Sequence, residues 1–131
     1  MYRFEFDGVN KILLSRFEGR FTDEAAVEFY EAAWKHATAT DADAGIVDFS
    51  SVSEFAVSSE LLRQLARRKS ALPNANRRPR VIVAPQTHAF GLFRMFQIVG
   101  EDTRPLLQVV RTMDEAFAAL GIHSPHFDPL E

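Results

Sequence analysis

Ile46-Val47-Asp48-Phe49-Ser50-Ser51-Val52-Ser53-Glu54-Phe55-Ala56-Val57-Ser58-Ser59-Glu60-Leu61-Leu62 reads as a short buried strand ending in an aspartate, then a hydroxyl-rich loop, then a helix that starts on serine. A join of this kind is where α/β folds turn backbone N–H groups and polar side chains toward a partner. The near-continuous apolar run from Gly45 to Phe49 suits a parallel strand covered on both faces. After it, Leu61, Leu62, Leu65, Ala66, Lys69 and Leu72 recur at helical spacing, so the helix runs from about Ser59 to Leu72 and Pro73 ends it.

Toward the N-terminus, Tyr2, Phe4 and Phe6 alternate with Arg3 and Glu5, the period of a half-buried strand. Asp7-Gly8-Val9-Asn10 turns the chain into a second strand from Lys11 to Phe17, and Gly19 breaks the pattern. Thr22 is an N-cap with Asp23 and Glu24 in the first turn behind it. The helix it opens buries Ala26, Phe29, Tyr30, Ala33, Trp34 and Ala37.

Toward the C-terminus, the turn-rich connection from Pro73 to Pro79 leads into a strand, Arg80 to Ala84. A third helix opens at Thr87 or His88, runs to about Val99 and closes on Gly100; Leu106 to Arg111 is a fifth strand. Thr112-Met113-Asp114-Glu115 is a capping box, and Gly121 supplies the left-handed residue that ends the last helix. His123 to Glu131 contains Pro125 and Pro129 without periodicity and reads as a tail. The order ββαβαβαβα predicts one α/β domain over residues 1–122, with a mostly parallel five-stranded sheet and an antiparallel edge strand. The polar loops after strands three, four and five then share one edge, where such domains place function.

Composition narrows the function classes. The chain has 131 residues and no cysteine, so disulfides and thiolate metal sites are excluded. Its N-terminus lacks the continuous apolar stretch of a signal peptide, and no run approaches the roughly 18 apolar residues of a membrane span. The expected location is the cytoplasm. Between Leu61 and Gly100 there is no acidic residue but there are eight basic ones: Arg63, Arg67, Arg68, Lys69, Arg77, Arg78, Arg80 and Arg94. Such a split is either an oriented basic patch or a solvated arginine-rich face answering acidic helices elsewhere.

Catalytic signatures are scarce. Ser58 or Ser59 with His88 and Asp48 has the composition of a hydrolytic triad, but no nucleophile elbow accompanies it. His123, His126 and Asp128 are metal-ligand types on an unfixed tail, without the supporting shell a working site needs. The glycines are scattered rather than gathered in a phosphate-binding loop, and the basic stretch carries no nucleic-acid reading motif. The expectation is therefore no enzyme, no cofactor, no metal and no nucleic acid.

Asp48-Phe49-Ser50-Ser51-Val52 leading into Val57-Ser58-Ser59-Glu60-Leu61-Leu62 resembles the switch region of the STAS/SpoIIAA-like superfamily. Ala84-Pro85 and Ala89-Phe90-Gly91-Leu92-Phe93-Arg94-Met95-Phe96 are similar to the third helix of its small stand-alone bacterial branch, a structural cousin of the lipophile-carrying CRAL-TRIO domains. In the superfamily's anti-sigma-factor antagonists a partner kinase phosphorylates a serine of a roughly Asp-Ser-Ser-Gly pattern. Here Val57, Ser58, Ser59 and Glu60 stand there, one residue further from Asp48. Ser58 and Ser59 then either cap the helix or accept phosphate at its N-terminus, with Glu60 opposing the added charge.

The resemblance implies a regulatory module working by protein–protein contact. Asp48, Ser51, Ser53, Ser58 and Ser59 form its contact edge, and Arg63 and Arg67 steer an acidic partner. The third helix is apolar on nearly all sides, a surplus that meets a homodimer or partner, an apolar cavity, or ordinary core. The alternative function is a small carrier or sensor of a lipophilic, anionic-headed ligand. In that case Phe90, Phe93 and Phe96 line its cavity and arginines hold the head group.

Overall fold

The computed structural model describes residues 1–68 and 78–130. Among them, six strands form one sheet: β1 (Tyr2–Asp7), β2 (Ile12–Thr22), β3 (Ala44–Ala56), β4 (Arg80–Val83), β5 (Leu107–Val110) and β6 (Asp128–Leu130). Their order is β5-β4-β3-β2-β1-β6. β2, β3, β4 and β5 are mutually parallel neighbours, and β1 runs antiparallel to both β2 and β6. The helices are α1 (Asp23–Ala39), α2 (Ser59–Arg67), α3 (Thr87–Val99) and α4 (Met113–Leu120). The α/β architecture is the expected one, with a mostly parallel sheet. The continuation of α2 to Leu72 and its stop at Pro73 fall outside the described residues.

Alternation along β2 and β3 builds two cores, one on each side of the sheet. Leu13, Phe17, Phe49 and Ile82 face α1, α2 and α3, where Phe29, Leu62, Leu65, Phe93 and Phe96 meet them. Ile12, Leu14, Ile46, Val81 and Val83 face the other way, against Ala116 of α4. Local signals set the helix ends. Thr22 Oγ1 accepts from Ala25 N at 3.1 Å, Thr112 Oγ1 accepts from Glu115 N at 3.1 Å, and Gly121 takes the left-handed conformation at φ 68°.

Four expectations are corrected. Gly19 does not break β2; at φ 88° it is part of an irregular stretch, after which the strand continues to Thr22. The segment after Asp48 is not a loop: β3 runs on to Ala56, pairing Ser51 with Glu18, Val52 with Gly19 and Phe55 with Phe21. The C-terminal segment contributes β6, which pairs Phe4 with Leu130 and Phe6 with Asp128, so β1 is not at the edge. Trp34 is exposed rather than buried. The α1 stripe facing the sheet centres on Ala26 and Ala37, and Trp34 lies about 80° round the helix from Ala26.

Candidate binding rim and interior cavity

Because β2, β3, β4 and β5 are parallel, their C-terminal ends and the N-termini of all four helices share one rim. Contacts between successive connections confirm this. Ser58 N and Oγ donate to the two carboxylate oxygens of Asp23 at 2.6 and 2.9 Å, tying the start of α2 to that of α1. Gln86 Nε2 donates to Val52 O at 3.4 Å, and the Arg111 guanidinium lies 4.2 Å from the centroid of the Phe90 ring.

The expected contact residues do not all reach this rim. Asp48 is 5% exposed and directed into the sheet. Its Oδ1 accepts from Ser50 N at 2.9 Å and from the Ser50 hydroxyl, and its Oδ2 lies 3.9 Å from Arg16 Nη1. Arg16 Nε lies 3.0 Å from Glu5 Oε2, so one charge chain staples β1, β2 and β3. Burial removes Asp48 from the contact edge. Ser58 is exposed but engaged: besides its bonds to Asp23, its Oγ accepts from Leu61 N at 3.2 Å as the N-cap of α2. Ser51, Ser53 and Ser59 are exposed, as are Arg63 and Arg67 along α2.

This division predicts unequal effects. Ser58→Ala removes the cap and the hydroxyl's bond to Asp23, leaves the bond from Ser58 N, and is expected to cost about 1–2 kcal/mol in urea unfolding. Ser59→Ala, at an exposed position, is expected to stay within about 0.5 kcal/mol. Equal losses would contradict the assignment of the cap to Ser58.

The basic stretch does not form one patch. Arg78 donates to Asp43 Oδ1 and to Asn10 O, both at 2.6 Å, on the rim opposite the helix N-termini. Arg68 stacks over Tyr30 at 5.5 Å, Arg94 is exposed on α3, and Arg80 points inward. Lys69 and Arg77 lie outside the described residues. Most of the apolar surplus of α3 is absorbed within the chain. Phe93 stacks on Phe49 with centroids 4.6 Å apart, and Phe96 is buried, whereas Ile98 remains 67% exposed.

Between α1, α2, α3 and the sheet lies a cavity of about 160 Å³. Phe21, Phe29, Phe49, Phe93 and Phe96 supply its aromatic wall; Phe90 is not among the lining residues. Phe90 sits under Arg111 instead. Among the described residues two arginines, Arg80 and Arg104, interrupt the apolar lining, together with Ser15 and Tyr30.

Arg104 is 6% exposed, and its Nη1 donates to Ala66 O at 2.8 Å, Arg68 O at 3.1 Å and Thr103 Oγ1 at 3.1 Å. It thereby closes the C-terminal end of α2, where helix carbonyls favour a cation. Burial pulls the pKa of Arg104 down, against the raising effect of Tyr30, which also hydrogen-bonds to its side chain. Arg80 is lowered to about 10, by burial first and then by the neighbouring Arg104 charge. Sequence reasoning placed Arg80 in the basic stretch and passed over Arg104. Their only local signal is a charge beside an apolar strand.

No family model matches the sequence, and no curated protein matches it significantly. Solved structures do match in fold. The anti-sigma factor antagonist SpoIIAA in its unphosphorylated form superposes with a TM-score of 0.60 at 15% identity, covering 95% of this chain and 100% of that one. The Bacillus cell fate determinant SpoIIAA in its phosphorylated form gives 0.54 at 18% identity, covering 90% and 97%. The chain therefore has the SpoIIAA-like fold that the Asp48–Leu62 segment suggested. Among the described residues no helix is long and apolar enough to cross a membrane.

Proposed function

We propose that this chain is a non-enzymatic regulatory module that acts by protein–protein contact at the rim, through the outer half of β3 and the start of α2. One observation carries the reading. Among the described residues β3 pairs with β4 only from Gly45 to Asp48, so from Ser50 to Ala56 no described strand lies beside its far edge. That edge carries exposed Ser51 and Ser53 and leads directly to exposed Ser59. An open strand edge is a template for an extended segment of a partner, and hydroxyls alongside it add hydrogen-bonding specificity. Arg63 and Arg67 on the following helix favour an acidic partner and speed its approach. Similarity to an anti-sigma factor antagonist supports a regulatory role.

One SpoIIAA structure is of a phosphorylated form. In this chain Ser59 is the better phosphoacceptor, because the Ser58 hydroxyl faces the Asp23 carboxylate. The test of the reading is recovery of the chain's partner from host lysate at low and high salt. Binding should fall with salt and be lost in the Arg63→Glu, Arg67→Glu double variant. A partner retained unchanged by that variant contradicts the proposed surface.

The cavity favours a second reading, a carrier or sensor of a small lipophilic ligand with an anionic head. Its aromatic wall and two arginines are the chemistry such a ligand needs.

A further inference from the structure

The two arginines of the cavity differ in one respect. The Arg104 Nη1 is bonded to the end of α2, and its guanidinium also stacks 5.2 Å from the Phe96 centroid. Arg80 Nε and Nη2 are shielded from solvent and have no hydrogen-bond partner among the described residues. Among the described residues no carboxylate forms an ion pair with either arginine. Buried donors are rarely left unmade in folded proteins, and each costs about 1–3 kcal/mol.

The identity of the two orphan donors is informative. Nε and Nη2 lie along one edge of the guanidinium and point the same way, the fork that receives both oxygens of a single carboxylate. A neutral hydroxyl or amide offers no matching pair of acceptors, and a second cation is excluded by Arg104. The volume limits the rest of the ligand. About 160 Å³ is close to the engineered cavity of roughly 150 Å³ that takes up benzene in another protein, and too small for a long acyl chain. Five phenylalanine rings around that space favour a flat aromatic body.

We propose that the cavity binds a small aromatic monocarboxylate, its ring among Phe29, Phe49, Phe93 and Phe96 and its carboxylate on Nε and Nη2 of Arg80. The inference rests on the second reading above, that the interior is a ligand site. It adds the ligand class and the residue that selects it.

The experiment uses benzoate as the charged probe and toluene as the neutral probe of similar size. Each is titrated calorimetrically into the wild-type chain and into Arg80→Met. Both probes should bind the wild type. Benzoate should weaken by at least about tenfold in the variant while toluene is unchanged. Should Arg80→Met fail to fold, the Arg80 Nε–Hε resonance of the wild-type chain gives an independent readout. It should shift with benzoate and stay in place with toluene. Equal benzoate binding by both proteins, or no shift at Arg80 on benzoate binding, overturns the role of Arg80 and leaves the cavity as an apolar site. Failure of both probes to bind the wild type overturns the cavity reading itself.

Discussion

Asp7→Ala is expected to lower folding stability by about 4 kcal/mol, among the largest effects of any polar substitution in the chain. Asp7 is 1% exposed at the end of β1. Its Oδ1 accepts from Val9 N and Asn10 N, each at 3.0 Å, and its Oδ2 accepts from Asn10 Nδ2 at 2.8 Å and His126 N at 3.1 Å. The first three shape the β1–β2 turn; the fourth reaches across the chain and anchors the segment that enters β6. Alanine strands these donors, so β6 should also detach. Hydrogen exchange at Asp128 and Leu130 should then accelerate more than exchange in β3.

The same carboxylate sets part of the acid limb of stability. Burial raises its pKa, but the hydrogen bonds from Asn10, His126 and Val9 outweigh that and hold it below the ordinary value of 3.8. A group depressed in the folded state stabilises fully above its unfolded pKa, and the contribution is lost as pH falls through the folded value. The loss therefore falls below about pH 4, and Asp7→Ala should flatten the acid limb there. A variant losing less than about 1 kcal/mol, with an unchanged acid limb, would contradict this role.

Phe49→Ala is expected to cost about 3–5 kcal/mol. Phe49 is the hub of the larger core. Its ring lies 4.9 Å from Phe21, 6.0 Å from Phe29, 5.9 Å from Phe55 and 4.6 Å from Phe93, the last stacked at 10°. It joins α1, α3 and both halves of β3, and aromatic pairing adds to its area burial. It also lines the cavity, so truncation enlarges that space rather than opening a new one. A second outcome follows: toluene should stabilise Phe49→Ala more than the wild type, because the added space takes apolar contacts. Chemical denaturation with and without toluene reads both. A loss below about 1.5 kcal/mol would mean that the surrounding rings collapse into the gap.

What was legible in the sequence was what local chemistry determines. Thr22, Thr112 and Gly121 announce helix ends through bonds spanning three or four residues, and all three behave accordingly. The parallel order of strands followed from alternation with helices. The misreadings share a cause, which is pairing across long sequence separations. Ser51 and Ser53 looked like loop because the Glu18–Thr22 segment that pairs with this stretch of β3 contains Gly19. Asp128-Pro129-Leu130 is too short to signal a strand and is held by β1 and by Asp7.

At the candidate site, composition pointed to hydroxyls and phenylalanines but not to their placement in the fold. Phe93 and Phe96 face inward and Phe90 does not, a difference of helix rotation that a uniformly apolar sequence conceals. Asp48 looked exposed because it precedes serines, yet Arg16 and Ser50 hold it in the sheet. Arg80 could not be separated from its basic neighbours until β4 turned it toward the interior.

The contact rim is tested most directly by site-specific photo-crosslinking in the host cell, with a photoreactive residue placed in turn at Ser53, Ser59 and Val9. Val9 is exposed in the β1–β2 turn at the opposite end of β2 and serves as the reference. The same partner adduct should form from Ser53 and from Ser59 and be absent from Val9. Adducts from Val9 alone, or equally from all three positions, would contradict a docking surface at the β3–α2 end.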